Sequence, residues 1–225
     1  MKKQQFRGQA PLGLLMLMIL VLSSCSRDRL AANKDIITES RDVSGFEQIE
    51  AGGANIVHVS YGENFKVELR GSSNLITVFE ARVNNKVLSL GYNGDVNIED
   101  DDVEVFVTMP ALNGVSLNGS GDIEIRGSFP DAKRFSVKIN GSGDVGIEDK
   151  FSCSVLEVDI SGSGKAELSE LQNARSKVKI SGSGDTYLQV EEELDVKIDG
   201  SGTVYYRGTP RVSSDINGSG QVRRI

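Results

Sequence analysis

The chain has 225 residues, 38% of them hydrophobic, which is enough for one ordinary domain or two small ones. Its formal net charge of −7 argues against nucleic acid or an anionic membrane surface as the main partner. It contains 25 glycines but only 4 prolines, a balance that indicates many tight turns between strands and not a disordered tract. Its 2 cysteines cannot build a disulfide framework.

Residues 1–24 predict a lipoprotein signal peptide. A basic start precedes an apolar run from Leu12 to Leu22 that is too short to span a bilayer securely. The run ends in Leu22-Ser23-Ser24-Cys25, which resembles the bacterial lipobox, where the cysteine is lipidated. We therefore predict palmitate-type acylation of Cys25, each buried CH₂ contributing about 0.8 kcal/mol of membrane anchoring. The alternative is an ordinary signal peptide with an incidental cysteine.

Residues 25–35 predict a lipidated tether, since the stretch that follows the cysteine is polar and unpatterned. Ser26, and not an acidic residue, comes directly after Cys25. By resemblance to lipoprotein sorting, this favours the outer membrane as the location. Whether the anchored chain faces the periplasm or the cell surface stays open.

Residues 36–111 predict an irregular, β-rich N-terminal part. Phe65–Leu69 and Val103–Val107 alternate apolar and polar residues as half-buried strands do. Asn84-Asn85 predicts a hairpin turn, because Asn tolerates positive φ. Ile49–Ile56 looks like a degenerate copy of a turn that recurs later in the chain. No long 3.6-residue apolar period is present, so we expect few helices.

Residues 112–225 contain a six-fold Gly-Ser-Gly repeat with a period near 20 residues, which is typical of a repeat array. The six copies are Gly119-Ser120-Gly121, Gly141-Ser142-Gly143, Gly162-Ser163-Gly164, Gly182-Ser183-Gly184, Gly200-Ser201-Gly202 and Gly218-Ser219-Gly220. Each unit consists of a strand, a tight turn, a second strand and a connector. The connectors vary in length, whereas the turns do not.

Numbering outward from each central Ser reveals inward columns of apolar residues. The column three residues before Ser contains Leu117, Ile139, Ile160, Ile180, Ile198 and Ile216. A meander of hairpins and a parallel β-solenoid both fit. We favour the solenoid, an all-β right-handed parallel β-helix, because stacked rungs about 4.7–4.9 Å apart explain why whole columns keep one chemistry. Ser214 and Arg224 occupy inward positions in the last unit, which suits a polar cap.

The Gly-Ser-Gly unit is predicted to be a corner of the solenoid. Glycine on each side of Ser supplies positive φ, and Ser is small enough to stack. The stacked Ser hydroxyls are expected to hydrogen-bond along the axis, each bond contributing about 1 kcal/mol.

The segment from Val43 to Ile49, Val-Ser-Gly-Phe-Glu-Gln-Ile, followed by the Gly-Ser-Gly-Asp array, resembles the bacterial DUF2807 family of autotransporter-adhesin head GIN domains. The resemblance covers about residues 40–222. It implies a right-handed β-helix with Gly-Ser-Gly at the turns between sheets, often in lipoproteins of Bacteroidota, and a role in adhesion.

No catalytic constellation stands out. Residues 141–146 match G-x-G-x-x-G but lack the following helix that a dinucleotide site needs. His58 is the chain's 1 histidine and lies far from the repeated serines in sequence, so serine hydrolase chemistry is improbable. Asp122, Asp144 and Asp185 share a column, which leaves open a carbohydrate-active enzyme or Ca²⁺ binding, although Asp is common beside turns. Asp100–Asp102 is a second Ca²⁺ candidate, with a solvated loop favoured.

Tyr187 and Tyr205 both lie four residues after Ser in adjacent rungs, on the outward side, where two stacked rings can receive a sugar or a partner protein. A plain cross-strand aromatic ladder is the simpler interpretation. We predict a non-catalytic, lipid-anchored envelope protein of adhesin or scaffolding type, without cofactor or metal. Its expected partners are the membrane, through the anchor, and a glycan or an envelope or host surface protein. A carbohydrate-active β-helix enzyme or a polysaccharide-binding periplasmic protein is the alternative.

Overall fold

The computed structural model describes residues 29–93 and 96–225. The predicted signal peptide and Cys25 lie outside the described residues. The strands of the N-terminal half are β1 (Arg29–Ala31), β2 (Ile36–Arg41), β3 (Gln48–Gly53), β4 (Ile56–Tyr61), β5 (Lys66–Ser72), β6 (Phe79–Asn84), β7 (Val87–Tyr92), β8 (Asn97–Glu99) and β9 (Glu104–Met109). Those of the repeat half are β10 (Gly114–Gly119), β11 (Asp122–Arg126), β12 (Ala132–Gly141), β13 (Asp144–Ile147), β14 (Phe151–Gly162), β15 (Lys165–Gly182), β16 (Asp185–Gly200), β17 (Thr203–Arg207), β18 (Arg211–Gly218) and β19 (Gln221–Arg224).

The repeat forms a parallel β-solenoid, as predicted, whose two sheets meet at the Gly-Ser-Gly corners. The first sheet contains the strands that precede each corner, in the order β7, β3, β10, β12, β14, β15, β16, β18, all parallel. The second sheet contains the strands that follow each corner, in the order β9, β4, β11, β13, β15, β16, β17, β19. β15 and β16 serve both sheets because each runs through a connector into the next rung.

The N-terminal half continues the solenoid and then closes its end. β3 lies on β10 in register, with Gly53 beside Gly119, so the degenerate copy of the turn is confirmed. β7 and β9 form a further rung beneath β3 and β4, although they follow them in sequence. Beyond that rung the pairing becomes antiparallel, through β5 on β9, β2 on β5 and β6 on β7. The parallel stack is therefore capped by antiparallel strands at this end.

Helix α1 (Ser73–Val78) joins β5 to β6 and buries Leu75 and Ile76 fully against the end of the stack. Across residues 29–93 and 96–225, no helix has the length and apolar character needed to cross a membrane. The β6–β7 turn places positive φ at Asn85 and Lys86, so the hairpin predicted at Asn84-Asn85 lies one residue further along. Asn84 instead pairs with Val87 as the last strand position.

The inward columns form the core, as predicted. Leu117, Ile139, Ile160, Ile180 and Ile198 are all buried, whereas Ile216 in the last rung is 39% exposed. A connector cluster extends this core, because Phe151 packs edge-on against Phe129 and Phe135. The last described rung is exposed along the whole of β18, including its apolar residues Val212 and Ile216.

The first glycine of each corner is required by both backbone and space. Its φ lies between +123° and +144° in all six copies. A Cβ there would lie 2.1–2.3 Å from the carbonyl oxygen of the equivalent glycine in the preceding rung. The prediction that both glycines supply positive φ is wrong, because the third position is not in that region. It is glycine for steric reasons, with a Cβ meeting its nearest neighbour at 2.1–2.5 Å.

The serine of each corner acts through its backbone and not its hydroxyl. Its N–H donates to the carbonyl oxygen of the first glycine in the preceding rung, at 2.9–3.0 Å in all six copies. All six serines are exposed, and within the described ranges no hydroxyl-to-hydroxyl bond links them. The predicted hydroxyl ladder is therefore wrong, since the close approach of the corners is held by main-chain hydrogen bonds.

Candidate functional site on the outer face of the second sheet

We define the outer face as the outward side chains of the second sheet. Tyr187 and Tyr205 lie on this face as directly paired residues of β16 and β17. Their rings stack in parallel, with centroids 4.5 Å apart and an interplanar angle of 8°. Both are half-buried, and burial together with the neighbouring Tyr205 raises the pKa of the Tyr187 phenol. The predicted outward ladder is confirmed, and each ring covers one face of the other on the outward side of the sheet.

A second aromatic pair occupies the same column at the other end of the outer face. His58 on β4 pairs with Phe106 on β9, and their rings stack with centroids 4.8 Å apart and an angle of 18°. Four strand steps separate His58 from Tyr187 along the column, or about 19 Å at a strand spacing of about 4.8 Å. This pair was missed from sequence, although extending the degenerate turn copy by four residues leads to His58.

Carboxylates fill the column between the aromatic pairs. Glu124 and Glu167 flank Gly146, which stands directly between them in register. His58 Nδ1 lies 3.0 Å from Glu124 Oε2, and Arg126 Nη2 donates to the same oxygen at 3.1 Å. His58 is therefore part of the array in space, despite its distance in sequence.

Arg126 connects the column to its neighbour by a bidentate ion pair. Its Nε and Nη2 donate to the two carboxylate oxygens of Glu148 at 2.7 and 2.9 Å. This pair holds the pKa of Glu148 below its usual range and raises that of Arg126. The ion pair fixes side chains that would otherwise lose rotamer freedom when a ligand binds.

The outer face offers aromatic rings that can pack against sugar faces and carboxylates that can accept hydrogen bonds from hydroxyl groups. Its acids outnumber its bases, which disfavours polyanionic ligands. A nucleophilic serine with an adjacent base would need His58, whose Nδ1 faces Glu124 and whose ring stacks on Phe106.

The turn aspartates have a structural use that bears on the Ca²⁺ question. Each accepts a hydrogen bond from the backbone N–H at the same position of the next rung, and not from a side chain. The bonds are Lys165 N to Asp144 Oδ1 at 3.0 Å, Thr203 N to Asp185 Oδ1 at 2.8 Å and Asp144 N to Asp122 Oδ1 at 3.3 Å. The column thus strengthens the stacking of the corners.

The acids of the Asp100–Asp102 run point to different partners. Asp101 accepts from the Tyr92 hydroxyl at 2.6 Å and from Asn55 Nδ2 at 2.9 Å. Asp102 accepts from the backbone and hydroxyl of Ser72 at 2.8 and 2.7 Å. In the part of the chain that the structure describes, no group of three or more His, Cys, Asp or Glu residues is arranged to hold a metal ion.

Cys153 is buried and free. Burial raises the pKa of its thiol to about 12, so it is a protonated core residue at neutral pH.

A family model described as "Putative auto-transporter adhesin, head GIN domain" (DUF2807) matches residues 45–210 of the chain. The chain belongs to this family. The match covers both the N-terminal rungs and most of the repeat. Family membership favours a binding module of the cell envelope over an enzyme.

Solved structures with the same fold come from species of Bacteroides and Parabacteroides. A "putative adhesin" from Bacteroides fragilis is 22% identical with a TM-score of 0.71, covering 87% of this chain and 100% of its own. A "putative adhesin" from Parabacteroides merdae is 15% identical with a TM-score of 0.57, covering 88% and 99%. A "putative lipid binding protein" from Parabacteroides distasonis is 21% identical with a TM-score of 0.52, covering 88% and 100%. No curated protein matches the chain.

Proposed function

We propose that the protein is a lipid-anchored, non-catalytic module of the outer membrane that binds an extended glycan along its outer face. The observation that carries this proposal is the half-buried, parallel stack of Tyr187 and Tyr205. Because the rings stack face to face, each covers one face of the other, and the pair forms one apolar platform that runs along the solenoid axis. Adhesin descriptions within the family and among the structural neighbours support a binding role.

The rest of the outer face supports a chain-like ligand. The His58–Phe106 pair provides a second platform about 19 Å away on the same column. Glu124 and Glu167 lie between the platforms as hydrogen-bond acceptors. A glycan that follows the solenoid axis would meet rings at both ends and carboxylates between them.

A polysaccharide panel tests the proposal. The purified full chain should show saturable binding to at least one neutral polysaccharide, without release of shorter products. Replacing both rings in Tyr187→Ala/Tyr205→Ala should weaken that binding at least tenfold, because packing against each aromatic ring contributes roughly 0.5–1.5 kcal/mol. Lys179→Ala on the first sheet, which leaves the rings in place, is the matched control and should bind as wild type.

Product formation in the same assay would instead support a carbohydrate-active enzyme and reject the proposed role. The carboxylates of the outer face are the groups that such an enzyme would use.

The anchor is tested separately. Metabolic labelling with a palmitate analogue should mark the wild-type chain and not Cys25→Ala. Protease treatment of intact cells should then cleave a surface-exposed domain, whereas protection would point to a periplasmic binding role.

A further inference from the structure

A cleft separate from the outer face lies at the N-terminal end of the solenoid. It encloses about 560 Å³, within the range of about 300–1,000 Å³ typical of small-molecule sites. Residues of β3, β6 and β7 line it, together with the corner formed by Gly52, Gly53 and Ala54. The side chains of Tyr92 and Asp101 close one side.

Gly52 lies in this cleft at a position where neither the backbone conformation nor the available space requires glycine. Its φ is outside the left-handed region, and a Cβ would meet only ordinary contacts at 3.8 and 4.0 Å. Every later rung has a polar side chain in this column, namely Asn118, Asn140, Ser161, Ser181, Asp199 and Asn217. The absence of a side chain at Gly52 therefore creates space and serves no turn.

The polar groups around the cleft are held in place by their own hydrogen bonds. The Asp101 carboxylate accepts from the Tyr92 hydroxyl at 2.6 Å and from Asn55 Nδ2 at 2.9 Å. Burial, and then the neighbouring Asp101, raises the pKa of Tyr92 well above its usual range, so this phenol stays a donor. Tyr92 is also fixed by Phe79, whose ring packs edge-on at 4.9 Å.

Other groups in the cleft keep free hydrogen-bonding capacity. Glu50 accepts from Asn118 through Oε1, and Glu80 from Arg82 through Oε1, which leaves the second oxygen of each carboxylate without a hydrogen bond among the described residues. Buried Asn55 directs its Nδ2 to Asp101 and to the carbonyl of Val103, and its Oδ1 finds no donor among the residues described. Asn55 does not itself line the cleft, and it acts there by holding the Asp101 carboxylate.

From this arrangement we propose that the cleft binds a single non-acidic sugar unit. The lining combines the Tyr92 ring, glycine backbone, carboxylate acceptors and the Arg82 donor, which suits a ligand with several hydroxyl groups. Three carboxylates face one guanidinium, which repels a uronic acid or a phosphate. The site shares no residue with the outer face, so it stands independently of the function proposed for that face.

Titration of the full chain with glucose, glucosamine and galacturonate, followed by ligand-observed NMR, tests this site. Glucose or glucosamine should bind saturably, and galacturonate at least tenfold more weakly. Gly52→Asn, which restores the side chain that other rungs have, should reduce binding at least tenfold. Ser161→Asn makes the same side chain in the same column on a distant rung and should bind as wild type.

If Gly52→Asn melts at the same temperature as the wild type, its loss of monosaccharide binding reflects a blocked cleft and not unfolding. Tyr187→Ala/Tyr205→Ala should leave monosaccharide binding intact, which separates this site from the outer face. The proposal is wrong if neither glucose nor glucosamine binds, if galacturonate binds equally well, or if Gly52→Asn binds as wild type.

Discussion

The repeat half and the N-terminal half form one continuous stack, but they specify it differently. In the repeat half, each corner meets a copy of itself, so Gly141 lies against Gly119 and Gly162 against Gly141. Among the described residues of the N-terminal half, only Gly53 keeps that role, and β7 and β9 lie beneath strands that precede them in sequence. The comparison shows that strands without the Gly-Ser-Gly motif, such as β7 and β9, still form a parallel rung of the stack.

The two ends of the stack also differ in how their apolar residues are covered. At the N-terminal end, antiparallel β5 and helix α1 cover the last apolar residues, and Leu75 and Ile76 are fully buried. In the last described rung, inward positions are polar or exposed, as Ser214 and Ile216 show. Added elements thus cover the N-terminal end, whereas Val212 and Ile216 stay exposed in the last described rung.

Adding one methyl group at a corner is the strongest way to break the repeat half. In Gly141→Ala, the new Cβ would lie 2.1 Å from Gly119 O in a residue with φ of +138°. We expect a loss of about 3 kcal/mol or more in unfolding free energy. At about 2–4 °C per kcal/mol for a domain of this size, the melting temperature should fall by about 6–12 °C in a calorimetric scan.

Gly146→Ala is the matched control within the same G-x-G-x-x-G stretch. Nothing lies within 4 Å of its Cβ, and its φ is outside the left-handed region. Its stability should stay within about 0.5 kcal/mol of wild type. Equal losses in both variants would contradict the role assigned to the corner.

Removing apolar volume from α1 tests the cap. Leu75→Ala should cost about 2–4 kcal/mol, because Leu75 is fully buried and the packed end of the stack cannot fill the cavity. Val78→Ala, in the same helix but only half-buried, should cost clearly less. Urea unfolding curves measure both, and a two-step curve for Leu75→Ala alone would show that the cap unfolds separately from the repeat.

The sequence predicted the parts of the fold that depend on repetition. The solenoid, its apolar columns and the Tyr187–Tyr205 ladder follow from counting around each central Ser, because parallel in-register strands place equal positions side by side. The rung of β7 and β9, the antiparallel cap and the cleft were not predictable in this way. They depend on pairings between strands that share no motif. The need for the third glycine of each corner was also not predictable, because it follows from how closely the main chains of adjacent rungs approach each other.

The His58–Phe106 pair was predictable in part. Its column position was available from the degenerate copy of the turn, but Phe106 reaches it only through the β9–β4 pairing. A histidine in a strand has no sequence signal for its neighbour on the next rung. The contact with Glu124 was missed for the same reason.

Removing a turn aspartate should have a smaller effect than either change above. Asp144→Ala deletes the acceptor of the Lys165 N–H and should cost about 1 kcal/mol. Asp159→Ala, a half-buried aspartate on the first sheet without a side-chain hydrogen bond among the described residues, should change stability by less than about 0.5 kcal/mol. Thermal melting with and without millimolar Ca²⁺ measures both, and a large Ca²⁺-dependent shift lost in Asp144→Ala would replace the structural role with a metal site.

The smallest expected effect is on the pH dependence of the unfolding free energy, in which a carboxyl of the cap and one of the stack should differ. Burial opposes ionisation of Asp102, but hydrogen bonds from Ser72, with Lys34 nearby, outweigh it and hold the pKa of this carboxyl below its usual range. A carboxyl whose pKa is lower in the folded state stabilises the protein above about pH 4, and the stabilisation is lost as the pH falls through the folded-state pKa. Asp102→Asn should therefore flatten the fall in unfolding free energy between about pH 4 and 2, by about 1 kcal/mol or less.

Glu148→Gln is the matched variant in the stack. It removes a carboxyl whose pKa is held down by the half-exposed ion pair with Arg126, and it should flatten the curve of unfolding free energy against pH less. Urea midpoints across that pH range measure the slopes, and a steeper curve for Asp102→Asn would contradict the direction assigned to the Asp102 pKa.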